Sequence, residues 1–269
     1  MTIKYIFCDI DETLCDMRRP ICQENVEAIR KAHEQGTKFV LSSGRLPVAI
    51  YDVLDEIKQE RCDSEYVISS NGSLLIKTNN DILYDNPLRK EDFITLVTWL
   101  SDSEYGFVSF ADFDRYHLLK TRVEPKNEWG EDIMDLEACL EYIKEKKPYK
   151  LLVGADAEEL KRVIKKIEEM TDGRVTGLFS HAEIIEVVNS DVSKGKAIKE
   201  LCARTGVDIK DTIAIGDNMN DYTLLEAAHI KACPANAVPA IKELCDYISP
   251  KTAGEGAVAD IIEKFVLEK

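Results

Sequence analysis

In the first part of the 269-residue chain, short apolar runs alternate with segments whose apolar residues recur every three or four positions. Residues 3–8 and 37–42 are apolar runs of the strand type. Residues 21–35 and the segment from Val48 to Ile57 have the spacing of helices, and Gly36 stands where a left-handed residue often ends a helix. A strand, helix, strand, helix order predicts a parallel sheet.

The pattern changes after the third predicted strand, residues 66–69. Residues 70–73 form a predicted hairpin turn, and residues 74–76 and 82–84 a further hairpin. From about residue 87, helical segments alternate with strands. These helices are predicted at residues 91–100, 136–144 and 157–170, the strands at residues 107–110, 116–121, 150–153, 174–178 and 184–188, and a polar loop at residues 122–132.

The α/β alternation returns near Ser193, with a helix and then a strand at residues 212–215. We therefore predict an α/β protein whose core, residues 1–84 and 189–269, contains a parallel sheet. Residues 85–188 form an inserted α+β domain.

Charge narrows the range of partners. The net charge is −15, which argues against nucleic acid or an anionic membrane as a partner. An anionic substrate would therefore need a local positive site. Because Asp9 interrupts the first apolar run, no signal peptide is predicted, and we expect a cytoplasmic protein. The eight cysteines include no CxxC pair, so we expect reduced thiols that serve as small apolar residues.

The first predicted strand ends in two carboxylates, Asp9 and Asp11. Ligands bind at this edge of open α/β sheets. Two carboxylates so close repel each other unless a cation lies between them or one holds a proton. An all-oxygen site of this kind suits Mg²⁺, with one Asp as nucleophile. The alternative is that the pair only forms a turn or caps a helix.

Three further segments carry candidate chemistry. Ser43-Gly44-Arg45 follows the second strand and could cradle an anion at a helix N-terminus, although Ser43 taken alone favours a helix cap without a ligand. A later strand ends in Asp217, Asn220 and Asp221. Lys194 stands in the first turn of a helix, where the helix dipole disfavours a cation, so we favour a functional role over simple solvation.

Together these segments resemble the haloacid dehalogenase superfamily of hydrolases, in the Cof-like sugar phosphatase subfamily with a type IIB cap. The matching motifs are DIDET at residues 9–13, LSSGR at residues 41–45, SKG at residues 193–195 and GDNMND at residues 216–221. The resemblance covers the whole chain. It implies a Rossmann-like core and makes the inserted domain a cap that selects the substrate. Glu12 stands where many members of the family have glycine.

The resemblance also implies roles for individual residues. Asp9 would be the nucleophile that forms an aspartyl-phosphate, and Asp11 the general acid and then the base. Thr13 would orient Asp11. Lys194 would neutralise charge on the nucleophile and on the phosphoryl oxygens. The Mg²⁺ site would consist of Asp9, Asp11 through its backbone carbonyl, and Asp217, and Asp221 would support Lys194 or the waters of the metal.

Phosphate or substrate would be bound by further core residues in the motifs and in the predicted turn. These are Ile10, Thr13, Ser43, Gly44, Arg45, Asn71, Gly72, Lys194 and Asn220. In the cap, Arg115, Lys120, Arg122 and His181 are candidates for contact with the leaving group.

We expect a Mg²⁺-dependent phosphatase of small phosphomonoesters, sugar phosphates in particular. Its partner would be a small phosphorylated metabolite, and it would be a monomer or a weak homodimer. Two alternatives stay open from the sequence. A phosphomutase would share the aspartyl-phosphate step, and a regulatory module would bind Mg²⁺ and phosphate without turnover. The intact set of Asp9, Asp11, Lys194 and Asp217 argues against the regulatory module.

Overall fold

A computed structural model describes residues 2–16, 20–103, 105–121 and 134–268. The chain divides into a core unit, Met1–Asp85 with Ser193–Lys269, and a second unit, Asn86–Val192. The sequence predicts these divisions after residues 84 and 188. The predicted loop at residues 122–132, with Arg122, lies outside the described residues, as do the side chains of Lys120 and His181.

The strands and helices follow the predicted order. The strands are β1 (Tyr5–Cys8), β2 (Lys38–Ser42), β3 (Tyr66–Ser69), β4 (Leu74–Lys77), β5 (Ile82–Asp85), β6 (Phe107–Ala111), β7 (Tyr116–Thr121), β8 (Lys150–Gly154), β9 (Val175–His181), β10 (Ile184–Asn189), β11 (Thr212–Ile215), β12 (Ile230–Cys233) and β13 (Tyr247–Ile248). The helices are α1 (Gln23–Glu34), α2 (Pro47–Glu56), α3 (Lys90–Ser101), α4 (Leu136–Tyr142), α5 (Ala157–Met170), α6 (Lys194–Thr205), α7 (Tyr222–Ala227), α8 (Pro239–Leu244) and α9 (Ala257–Ile262). None of the helices in the described part of the chain has both the length and the apolar sequence that spanning a bilayer requires.

The core unit contains an eight-stranded sheet in the order β13-β12-β11-β1-β2-β3-β4-β5. The strands from β13 to β3 are parallel, whereas β4 and β5 are antiparallel additions at one edge. All four side chains of the central strand β1 are buried, as expected of a parallel strand covered on both faces. The predicted α/β class with a parallel core sheet is confirmed.

One face of the core sheet packs on α6 and α7. Phe7 and Val40 of the sheet belong to one apolar cluster with Ile198 of α6 and Leu224 of α7. Helix α6 begins at Lys194 because the side chain of Ser193 caps it by accepting a hydrogen bond from the backbone N–H of Lys196. This cap fixes the point at which the helix starts, and with it the position of Lys194 at the first turn.

The second unit is an antiparallel sheet in the order β7-β6-β8-β10-β9, with α3, α4 and α5 packed on one face. Asp135 and Asp156 cap α4 and α5 through their side chains. Leu160, Val163 and Ile167 lie on one side of α5 and are buried, as their spacing predicts. The second unit thus has its own apolar core, as a separately folded α+β domain requires.

The turn after β3 is a four-residue connection, because Ser69 at the end of β3 pairs with Leu74 at the start of β4. Ser70–Gly72 forms a short 3₁₀ turn in which Asn71 has a φ of 56° and Gly72 a φ of 96°. Gly36 has a φ of 86°, as expected at the end of α1.

Candidate active site

Three neighbouring parallel strands bring the motif residues to one edge of the core sheet. Cys8 at the end of β1 pairs with Ile215 of β11 on one side and with Leu41 of β2 on the other. The residues that follow these strands therefore emerge side by side. The backbone N–H of Asp9 donates to the carbonyl of Ile215 at 3.0 Å, which extends the pairing to the nucleophile candidate.

Three buried carboxylates meet at this edge. One oxygen each from Asp9, Asp217 and Asp221 lies within 4.8 Å of the others. Asp221 reaches the site because residues Met219–Asp221 form a 3₁₀ turn that folds back on the end of β11. Its Oδ2 accepts from the backbone N–H of Asp217 at 3.1 Å and from that of Asn218 at 3.4 Å.

Lys194 joins two of these carboxylates. Its Nζ lies 2.5 Å from Oδ1 of Asp9 and 2.6 Å from Oδ1 of Asp221, and the residue is 1% exposed. Burial acts to lower the pKa of Lys194, but the charges of Asp221 and Asp9 outweigh it and raise that pKa, so the ammonium stays charged. The alternative of a solvated lysine is excluded.

Gly72 permits the approach of α6 that places Lys194. A Cβ on Gly72 would lie 2.3 Å from the carbonyl oxygen of Ser193 and 2.9 Å from the backbone nitrogen of Lys194. The Asn71–Gly72 turn also contacts the second strand end, since the N–H of Asn71 donates to the carbonyl of Ser43 at 3.1 Å. This turn therefore connects the Ser43 loop with the start of α6.

One lysine does not balance three buried carboxylates. Burial, followed by the charge of Asp221, raises the pKa of Asp217 to about 7. Burial and the same neighbouring charge also raise the pKa of Asp9 well above its usual range, despite the pair with Lys194. The residues present fit a divalent cation, because the cluster offers carboxylate oxygens only and a second positive charge would relieve their repulsion.

Asp11 does not belong to this cluster. Arg45 donates to it from Nε at 3.0 Å and from Nη2 at 2.5 Å. The side chain of Asp11 is 38% exposed and that of Arg45 is 35% exposed. The guanidinium of Arg45, predicted to bind phosphate, thus binds the predicted general acid. The carboxylate of Asp11 is not among the three grouped oxygens, which leaves its backbone carbonyl as the predicted metal ligand.

Thr13, predicted to orient Asp11, lies against Asp217 in this structure. Thr13 is fully buried, and its hydroxyl donates to Oδ1 of Asp217 at 2.8 Å. The cause is the tight turn after β1, in which the carbonyl of Ile10 accepts from the backbone N–H groups of Thr13, Leu14 and Cys15. This turn directs Thr13 inward, toward the end of β11, while Asp11 remains half-exposed.

The other predicted phosphate-binding residues lie around the same edge. Ser43 is 2% exposed, and its Oγ accepts from the backbone N–H of Arg45 at 3.2 Å. It does not cap α2, whose N-cap is Leu46. Gly44 is half-buried, the side chain of Ile10 is fully buried in the core, and Asn220 is exposed on its 3₁₀ turn.

The sequence-based reasoning missed Asn236, which follows β12. Its Nδ2 donates to the carbonyl of Glu12 at 2.7 Å, and its Oδ1 accepts from the backbone N–H of Ala253 at 3.0 Å. Glu12 and Asn236 are 224 positions apart, so no local pattern could have indicated the contact. In the second unit, Arg115 is exposed on the turn between β6 and β7.

Comparison with known proteins agrees with this geometry. Residues 6–262 match the family model of the haloacid dehalogenase-like hydrolases. The chain is 28% identical over 267 residues to a phosphoglycolate phosphatase of Methanobrevibacter smithii, covering 99% of this chain and 100% of that protein. It is 25% identical to the 5-amino-6-(5-phospho-D-ribitylamino)uracil phosphatase of Bacillus subtilis, covering 98% of this chain and 96% of that one.

Solved structures show the same fold. A haloacid dehalogenase-like hydrolase from Bacteroides thetaiotaomicron has a TM-score of 0.84 at 23% identity, over 98% of this chain and 99% of that one. A subclass IIB sugar phosphatase of the superfamily has a TM-score of 0.79 at 19% identity, over 97% and 98% of the two chains. The full-length phosphatase relatives agree with the predicted phosphoric monoester hydrolase. The chain belongs to the haloacid dehalogenase-like hydrolase family.

Proposed function

We propose that this protein is a Mg²⁺-dependent phosphatase that hydrolyses small phosphomonoesters, sugar phosphates in particular, through a phosphorylated Asp9. The observation that carries the proposal is the buried carboxylate of Asp9, held by Lys194 beside Asp217 and Asp221. A nucleophile needs a fixed orientation, and the ammonium 2.5 Å from Oδ1 of Asp9 supplies it.

In the first step, a carboxylate oxygen of Asp9 attacks phosphorus and the ester P–O bond breaks. Lys194 stabilises the negative charge on the attacking carboxylate and on the phosphoryl oxygens, since it is already desolvated and oriented. Asp9, Asp217 and the backbone carbonyl of Asp11 would hold Mg²⁺, with Asp221 beside them holding Lys194. When bound, this ion would screen the carboxylates from the phosphate charge and polarise the phosphoryl group.

Asp11 gives a proton to the leaving alkoxide, and its carboxylate then takes a proton from the water that cleaves the aspartyl-phosphate. To do so, Asp11 has to leave Arg45 and take up a proton. Because both side chains are more than a third exposed, the ion pair contributes only about 0.2–1 kcal/mol to stability and separates readily. The Asp11–Arg45 pair is therefore a resting arrangement that substrate can displace.

The substrate class rests on the relatives and on charge. Two relatives match this chain over nearly its full length. One is named a phosphatase of phosphoglycolate and the other a phosphatase of a phosphorylated ribityl compound, and both compounds are small phosphate esters. The net charge of −15 makes a large polyanionic substrate unfavourable. We take the second unit to be the cap that selects the leaving group, and we place the protein in the cytoplasm as a monomer or weak homodimer.

The test is release of inorganic phosphate from a panel of sugar phosphates, nucleotides and pyridoxal phosphate, with Mg²⁺ and with EDTA. We expect Mg²⁺-dependent release with a preference among the sugar phosphates. Asp9→Asn should abolish release while circular dichroism shows an unchanged fold. Activity retained by Asp9→Asn would contradict the nucleophile. An isomerised sugar phosphate without phosphate release would favour a phosphomutase instead.

A further inference from the structure

Glu12 has a left-handed backbone, with a φ of 59°. This region is unfavourable for residues other than glycine, since their Cβ approaches the following carbonyl oxygen. Glu12 lies between two peptide groups of the turn that carries Asp11 and Thr13. A strained residue at this point persists only where its surroundings impose the conformation.

Both peptide groups around Glu12 are held. On the N-terminal side, the N–H of Glu12 donates to the carbonyl of Cys15 at 2.8 Å, which fixes the Asp11–Glu12 peptide. On the C-terminal side, the carbonyl of Glu12 accepts from Nδ2 of Asn236 at 2.7 Å, which fixes the Glu12–Thr13 peptide. With both planes held, the φ of Glu12 is confined between them.

We propose that Asn236 is a positioning residue for the metal and nucleophile site, acting by holding Glu12 in its left-handed conformation. The Asp11–Glu12 peptide includes the backbone carbonyl of Asp11, and the Glu12–Thr13 peptide determines where the Thr13 hydroxyl reaches Asp217. A relaxed Glu12 would rotate these two peptides relative to each other. The metal-binding consequence rests on the proposed function.

The carboxamide of Asn236 is itself anchored. Its Oδ1 accepts from the N–H of Ala253, at the start of the 3₁₀ turn Ala253–Glu255. The same turn holds the far end of the loop, because the N–H of Gly254 donates to Oδ1 of Asp16 at 3.1 Å. Asn236 therefore transmits the position of a fixed turn to Glu12. Because Asn236 is exposed, its removal leaves no buried cavity and is a mild perturbation.

The experiment measures Mg²⁺ binding to metal-free protein by isothermal titration calorimetry, together with thermal unfolding, for Asn236→Ala in three backgrounds. In the natural background we expect the Mg²⁺ dissociation constant to rise about fivefold, the effect of one net hydrogen bond. In the Glu12→Gly background the rise should stay within about twofold, since glycine adopts a φ of 59° without strain. In the Glu12→Gln background, which removes the charge but keeps the strain, the fivefold rise should persist.

Equal weakening by Asn236→Ala in the Glu12→Gly and Glu12→Gln backgrounds would overturn the proposal. So would a lower melting temperature with unchanged Mg²⁺ affinity, which is the signature of a purely structural contact. Failure of the natural protein to bind Mg²⁺ would refute the proposed metal dependence instead. The hold of Asn236 on the left-handed Glu12 would still be tested by melting temperatures, where Asn236→Ala should destabilise the Glu12→Gln protein more than the Glu12→Gly protein, and equal destabilisation would overturn it.

Discussion

Replacing Gly72 with alanine should displace Lys194, although Gly72 has no side chain that could take part in the reaction. Gly72 has a φ of 96°, and the added Cβ would lie 2.3 Å from the carbonyl oxygen of Ser193, where 3.4 Å is an ordinary contact. The backbone before Lys194 would therefore have to retreat by about 1 Å, the difference between an overlapping and an ordinary contact.

Two costs add in this variant. A left-handed non-glycine residue costs about 1–2 kcal/mol, and forcing an extra carbon into a packed contact costs about 1–3 kcal/mol more. We expect the free energy of unfolding to fall by about 2–5 kcal/mol. A displacement of about 1 Å at Lys194 should lower the turnover number by on the order of 100-fold.

Gly36→Ala is the matched control. Gly36 has a φ of 86°, but an added Cβ would meet no atom within 4 Å. It should therefore cost only about 1–2 kcal/mol and leave turnover unchanged. Urea unfolding and phosphate release would be measured for both variants. Equal losses of stability, with turnover of Gly72→Ala unchanged, would refute the steric argument.

Three further predictions concern the charges of the site. Lys194→Met leaves Asp9 and Asp221 buried without their cation and should lower the free energy of unfolding by about 3–5 kcal/mol. Arg45→Met removes a pair that is more than a third exposed and should lower the free energy of unfolding by less than about 1 kcal/mol. Urea unfolding measures both values. Arg45→Met should also leave hydrolysis of p-nitrophenyl phosphate nearly unchanged, since that leaving group needs no proton from a general acid. Without metal, Asp217 keeps its proton up to about pH 7 in the folded protein but only up to about pH 4 in the unfolded chain. The free energy of unfolding should therefore fall as the pH rises from about 4 to about 7. Because Mg²⁺ has to displace this proton, the rise in melting temperature that Mg²⁺ causes should grow as the pH rises to about 7.

Each of these has a contrary outcome. Similar losses of stability for the lysine and arginine variants would mean that burial does not decide the strength of the pairs. A large loss of p-nitrophenyl phosphate hydrolysis in Arg45→Met would return Arg45 to a phosphate-binding role. If the rise in melting temperature caused by Mg²⁺ did not vary with pH, Mg²⁺ would displace no proton from Asp217. The Asp217→Asn variant should show no rise in melting temperature with Mg²⁺.

Much of the fold follows from local sequence. Residues 157–170 have an apolar face at helical spacing, and the sequence predicts α5 with both of its ends; the structure adds that the side chain of Asp156 caps its first turn. The short apolar runs of the core are typical of buried parallel strands, because both faces of such a strand are covered. The family resemblance implied that Asp9 and Asp217 share one site, and the structure brings them together because the ends of parallel strands share one edge.

The tertiary structure decided which side chains pair at that edge. The family resemblance implied that Thr13 orients Asp11 and that Arg45 binds phosphate, whereas Thr13 bonds to Asp217 and Arg45 to Asp11. These choices depend on the direction in which each side chain leaves a tight turn, which spacing does not determine. The bond from Asn236 to Glu12 joins positions 224 apart. Local periodicity determines which segments become strands and helices, but hydrogen bonds between distant loops form only once packing has brought those loops together.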